Sequence, residues 1–180
     1  MSKYHIVAAI ALAVTACTSP APSSPKGQAS LEDQANATLG EMFTRAPELH
    51  SLLNSSAGYA VFPSVGAAGA FVAGGAYGKG VLYENGYPVG FVSLSQGSIG
   101  PQLGGQTFSE LLVLRTPYDV QNLKAGNFKL GGEASAVILN AGVAAAGSIS
   151  AGRTVFVYPK GGLMASLSVS GQQINFQPRG

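Results

Sequence analysis

From Gly58 onward the chain is a succession of short apolar segments rich in Val, Phe and Tyr, punctuated every few residues by glycine. That texture restricts the fold more than any other feature. Glycine weakens helices, whereas alternating or short apolar runs bounded by turn residues are the pattern of strands. The 25 glycines among 180 residues, against an average share of roughly 7%, therefore predict a strand-rich body. Asn85-Gly86 lies between Val81-Leu82-Tyr83 and Val89-Gly90-Phe91, a hairpin signal. Ser170-Gly171 gives a second, because Leu163, Ala165, Leu167 and Val169 alternate before it and Ile174 and Phe176 alternate after it.

Helices are expected in three places. Ser30 and Asp33 have capping-box spacing, and Leu31, Ala35, Leu39, Met42 and Phe43 then recur at helical steps. Pro47 interrupts that stripe, so a second short helix is predicted over Pro47 to Leu53, with Leu49, Leu52 and Leu53 inward. Thr116, Pro117 and Asp119 open a third helix running to Ala125, with Gly126 at its exit. Residues 133–146 are ambiguous: alanine favours helix, Val137, Ile138 and the nearby glycines favour strand, and strand is preferred. The expected fold is α+β: mainly antiparallel short strands in a barrel-like or two-layer sheet, with N-terminal helices and one further helix near 117–125.

The N-terminus has a different character. Lys3 precedes an uncharged run from Ile6 to Ala16, about half of the roughly 20 residues that cross a bilayer, which makes residues 1–16 a signal peptide. The leader ends Val14-Thr15-Ala16-Cys17, and this resembles the lipobox of bacterial lipoproteins. The resemblance implies that Cys17, the single cysteine, becomes the first mature residue and carries three acyl chains, palmitate among the expected fatty acids. Thr18 stands where an Asp would resemble an inner-membrane retention signal, so an outer-membrane lipoprotein on the periplasmic side is expected. Residues 17–29, with Pro20, Pro22 and Pro25 among serines, are expected to form an extended tether. The domain is assigned to 30–180, with helical residues 30–56 and a strand-rich body over 57–178.

Chemistry is sparse. One Cys excludes an intramolecular disulfide and any multi-Cys metal site. Past the leader the only histidine is His50, expected on a helix surface. Gln96-Gly97-Ser98-Ile99-Gly100 lacks the first glycine of a nucleophile elbow. The run Gly75 to Gly80 departs from a phosphate loop at Ala73 and Gly80. After residue 57 the acids are Glu84, Glu110, Asp119 and Glu133, with no spacing that pairs them for acid–base work and no calcium-loop pattern. No enzyme activity, metal or cofactor is expected, and a net charge of +2 gives no ground for nucleic-acid binding.

The cations are more informative. Residues 30–56 carry Arg45 against Glu32, Asp33, Glu41 and Glu48, whereas the body carries Lys79, Arg115, Lys124, Lys129, Arg153, Lys160 and Arg179 against four acids. Two lysines sit among glycines, in Tyr77-Gly78-Lys79-Gly80 and Tyr158-Pro159-Lys160-Gly161-Gly162. Such surroundings allow backbone amides to approach an anion, while tyrosine can lie at a headgroup layer. The same residues also suit ordinary hairpin loops with solvated lysines.

Across residues 57–178 the chain resembles a SYLF domain. The matching stretches are AGYAVFPSVG at 57–66, AGGAYGKGVLY at 73–83, VGFVSLSQGSIGPQLGGQTFSELLVLRT at 89–116, LKAGNFKLGGEASAV at 123–137 and VFVYPKGGLMASLSVSGQ at 155–172. The resemblance implies non-catalytic phospholipid binding and favours Lys79 and Lys160, which lie within matching motifs; the charge of the body adds Arg115, Lys124, Lys129 and Arg153 as further expected headgroup contacts. Ala67 stands where relatives often carry lysine, which removes one such contact. The expected partners are thus the membrane, through acylated Cys17, and anionic phospholipid headgroups. An envelope protein docked on the Gly/Ala-rich sheet face is the alternative.

Overall fold

The computed structural model describes residues 19–130, 135–138, 154–164 and 171–180. In chain order the elements are α1 (Pro25–Arg45), α2 (Leu49–Asn54), β1 (Gly58–Glu84), β2 (Tyr87–Leu114), α3 (Pro117–Lys124), β3 (Lys129–Leu130), β4 (Ser135–Ile138), β5 (Thr154–Met164) and β6 (Gln172–Pro178). The α+β expectation holds.

The central feature is one hairpin of two very long strands. Asn85 and Gly86 both have positive φ, 51° and 80°, the conformation of a type I′ turn whose twist suits a two-residue hairpin. From there β1 and β2 stay paired from Glu84↔Tyr87 to Gly58↔Leu114, with register shifts at Phe62/Val65, Phe71/Ala73 and Leu82/Tyr83. Short strands were expected, and the difference has a physical cause. Glycine interrupts the side-chain pattern, yet it leaves main-chain pairing intact and permits the shifts that bend a strand.

Straight, 27 residues would extend about 90 Å, so β1 must curl. It does so at Gly80, where an added Cβ would lie 2.4 Å from the Val61 carbonyl oxygen and 2.8 Å from the Phe62 ring. Residues 61 and 62 of β1 are thereby packed on its own later part.

The other edge of β2 is shared. Residues 90–95 pair with β6 and residues 104–113 with β5, both antiparallel. β3 extends the sheet beyond β6, and β4 lies parallel to β5, an exception to the antiparallel expectation. The strand preference for 133–146 is met at Ser135–Ile138; its remaining residues lie outside those described. So do residues 165–170 of the second expected hairpin. Gly171 has φ 78°, and among the described residues β5 and β6 each pair with β2.

Alternation divides the sheet into two buried faces. Ala60, Phe62, Leu82, Leu94, Phe108 and Leu112 line the concave face and meet Val120 and Leu123 of α3. Tyr59, Val61, Val81, Phe91, Leu111 and Phe156 line the convex face beneath Leu39 and Met42 of α1 and Leu49 and Leu53 of α2. Because both faces are covered, β2 reads as a nearly continuous apolar run from Leu111 to Leu114.

α3 is as expected: Thr116 Oγ1 accepts from the Asp119 amide at 3.2 Å, Asp119 closes the capping box, and Gly126 follows with φ 74°. α2 starts at Leu49 rather than Pro47. α1 differs more. Ser24 caps it, its hydroxyl accepting from the Gly27 amide, and Pro25 takes the first helical position. The expected tether therefore ends in helix five residues before Ser30. Its earlier part is also docked, since Ala21 is 4% exposed and belongs to the convex core. Composition alone missed this because Ser19 and Ala21 find their hydrogen-bond partner on β6, at the opposite end of the chain.

Candidate functional site

The two lysine motifs are strand, not loop. Lys79 lies within β1 opposite Ser93, and Lys160 lies within β5, at the shift between Thr107 and Phe108. Gly78 and Gly80 pair with Leu94 and Val92. Gly78 is also close-packed, an added Cβ falling 2.8 Å from Val65 Cγ2 and 2.9 Å from the Ser64 carbonyl oxygen. These glycines serve close chain packing within the sheet.

The five predicted cations among the described residues are dispersed. Lys79 and Lys160 register with opposite halves of β2. Lys79 is half-buried, and its Nζ donates to the Ala21 carbonyl at 3.2 Å. Lys124, in the last turn of α3, forms an ion pair with Glu84 and sits 6.0 Å from the Phe176 ring centroid. Arg115 just beyond β2, Lys129 on β3 and Lys160 on β5 are exposed. Cys17 and Arg153 lie outside the described residues. Tyr158, considered for a headgroup layer, instead takes a hydrogen bond from Arg45, whose guanidinium lies 4.2 Å from the ring centroid. Tyr77, beside Lys79, remains 40% exposed.

His50 is exposed on α2, as predicted, and stacks on Phe43 with ring centroids 3.6 Å apart. Both border a cleft of about 500 Å³ between α1, α2 and the hairpin tip, with Leu39, Tyr59, Ser56 and Asn85 among the other walls. The Ser56 hydroxyl donates to the Leu53 carbonyl at 2.8 Å, so it is held by its own chain turn rather than by the imidazole. Above the neighbouring sheet, Tyr83 donates to Asn36 Oδ1 at 2.8 Å and stacks on Tyr59. Burial raises both phenols, and for Tyr83 the nearby Tyr59 and Glu32 add to it.

Sequence reasoning passed over Glu110. The residue is fully buried on the concave face, opposite Phe62 and Val157, and accepts from Gln172 Nε2 at 2.9 Å. Burial pushes its carboxyl up to about 7, against the pull of the Gln172 hydrogen bond. A signal was present: Glu110 has the same strand parity as Phe108, Leu112 and Leu114, all inward.

Residues 95–179 match the family model Ysc84, described as Las17-binding protein actin regulator. The matched stretch takes in most of β2 and all of α3, β3, β4, β5 and β6, and so includes Glu110, Gln172, Arg115, Lys124, Lys129 and Lys160. Lys79 and the helices α1 and α2 precede it. Comparison with curated proteins finds no match to the chain.

Proposed function

We propose that this chain, whose residues 95–179 match the Ysc84 model of a domain family that is lipid-binding in general, is an outer-membrane lipoprotein, anchored through acylated Cys17, whose domain binds anionic phospholipid without catalysis. The observation that carries this reading is the exposure of Arg115, Lys129 and Lys160 within the family-matched segment. No ion pair engages these three among the described residues. Each cation near an anionic surface contributes roughly 1 kcal/mol, so three give about 3 kcal/mol. Three acyl chains hold far more strongly. Headgroup contacts would therefore select lipid and orient the domain, while the acyl chains keep it at the membrane.

Lys124 ranks lower because Glu84 already neutralises it, and Lys79 because the Ala21 carbonyl occupies one of its donors. Arg153 stays in the proposal on its sequence context alone. The alternative, a protein partner docked on an open sheet face, finds less support, since helices or strand-borne side chains cover both faces around the two described cores. Actin regulation, named for the family, would have no target for a chain exported by residues 1–16.

Two measurements test the reading in its separate parts. Fatty-acid labelling of the full chain should be lost in Cys17→Ser; undiminished labelling sinks the anchor. Soluble protein beginning at Thr18 should sediment with anionic vesicles and not with zwitterionic ones, and equal recovery with both removes headgroup selectivity.

A further inference from the structure

The segment that follows Cys17 is fastened to the domain. Ser19 Oγ donates to Gln177 Oε1 at 2.8 Å, and the Ala21 amide donates to the same oxygen at 3.3 Å. From β1, Lys79 Nζ donates to the Ala21 carbonyl at 3.2 Å. Pro20 between them is buried, and Ala21 is packed into the convex core.

Strand register locates this strap on the sheet. Val81, Phe91 and Gln177 occupy one row across β1, β2 and β6, and Lys79, Ser93 and Asn175 occupy the next. Val81 and Phe91 belong to the convex core. Side chains alternate along a strand, so Lys79 and Tyr77 share that face with Val81. The α3 helix lies on the other side, with Val120 and Leu123 in the concave core.

Cys17 is two residues from Ser19, and two extended residues span at most about 7 Å. A free tether over residues 17–29 would instead reach roughly 40 Å. We infer that the strap pins the acylated terminus beside the Lys79–Gln177 rows, so that the convex side bearing Tyr77 and Lys79, and not the α3 side, faces the lipid surface. The inference rests on acylation of Cys17, and it adds an orientation to that reading. It also gives Lys79 a second role. One of its three donors holds the strap, and the other two are brought to headgroup level.

The test uses the full lipidated chain in vesicles containing brominated phospholipid. The protein has no tryptophan, so Tyr77→Trp and Tyr118→Trp each supply one reporter, on the convex side and on α3 respectively. Both positions are exposed tyrosines, so the substitutions leave the cores intact. Quenching should be at least threefold stronger for Tyr77→Trp. Inserting about ten Gly/Ser residues between Thr18 and Ser19 leaves every strap contact in place and should reduce that quenching to the Tyr118→Trp level. Vesicle flotation of each sample reports the anchor independently. Flotation with equal quenching at the two positions overturns the orientation and leaves the anchor standing. Loss of flotation in the uninserted chain overturns both.

Discussion

Gln172 and Glu110 meet within the concave core, the amide Nε2 donating to carboxyl Oε2 at 2.9 Å, although the two residues lie on different strands and 62 positions apart. The remaining side-chain oxygens, Glu110 Oε1 and Gln172 Oε1, are buried with no hydrogen-bond partner among the described residues. Buried acceptors without a donor are unfavourable in an apolar interior, and an ionised carboxylate more so, which favours the protonated form of Glu110. The raised carboxyl, near 7, agrees with that neutral acid–amide pair.

Stability should therefore fall as pH rises. The unfolded carboxyl releases its proton near 4.5 and the folded one near 7. Between those values only the folded state holds the proton, so the contribution is intact below about 4.5, declines through neutrality and is level above about 7. The whole span amounts to about 3 kcal/mol. Glu110→Gln keeps an amide partner for Gln172 and cannot ionise. In urea unfolding at pH 5 and pH 8 the variant should gain on the parent by roughly that amount at the higher pH. A parent-minus-variant difference that does not change with pH contradicts the assignment.

Glycine at position 80 is required by contact and at position 86 by φ, which predicts different costs. Gly86→Ala meets nothing within 4 Å but holds φ 80°, and should lose about 1 kcal/mol. Gly80→Ala drives a Cβ onto the Val61 carbonyl and the Phe62 ring, and should lose about 3 kcal/mol. Gly97→Ala, with open space and no positive φ, should stay within about 0.5 kcal/mol. Equal losses at 80 and 97 would show that β1 does not close on itself there.

The capping box of α3 gives a smaller, local effect. Thr116 and Asp119 exchange hydrogen bonds at the helix start, so Thr116→Ala should cost about 1 kcal/mol. Chemical denaturation at constant pH measures it, and no loss would mean that water replaces the cap.

What could be read from the sequence was local. Asn85-Gly86 and Thr116-Pro117-Asp119 each specify their geometry within four residues, and both were found in place. Strand length was not legible, because the pairing of Gly58 with Leu114 continues through glycines that break the apolar alternation. The docked strap was hidden for a related reason: a Pro/Ser composition describes an isolated segment, while Gln177 and Lys79 hold this one from remote strands. Glu110 was set aside for lack of a second carboxylate. Its partner is an amide, a residue type that a search for acid pairs ignores.

The predicted cation set needed the same correction. Arg115, Lys129 and Lys160 are exposed, whereas Lys124 is committed to Glu84 and Lys79 to the strap. Lys124→Ala should therefore weaken vesicle binding less than Lys160→Ala, and co-sedimentation of the two variants at one low salt concentration measures the order. The reverse order would mean that Glu84 releases Lys124 at the membrane.

The central claim is that the domain itself recognises anionic phospholipid, and salt dependence tests it most directly. Soluble protein beginning at Thr18 should bind anionic vesicles at low salt and lose that binding as ionic strength passes about 0.1 M, where the screening length falls to about 10 Å. The combined Arg115→Ala, Lys129→Ala and Lys160→Ala variant should lose most of the low-salt binding while keeping the parent's unfolding midpoint. Absence of parent binding at low salt, or binding that neither salt nor the triple variant changes, contradicts the account.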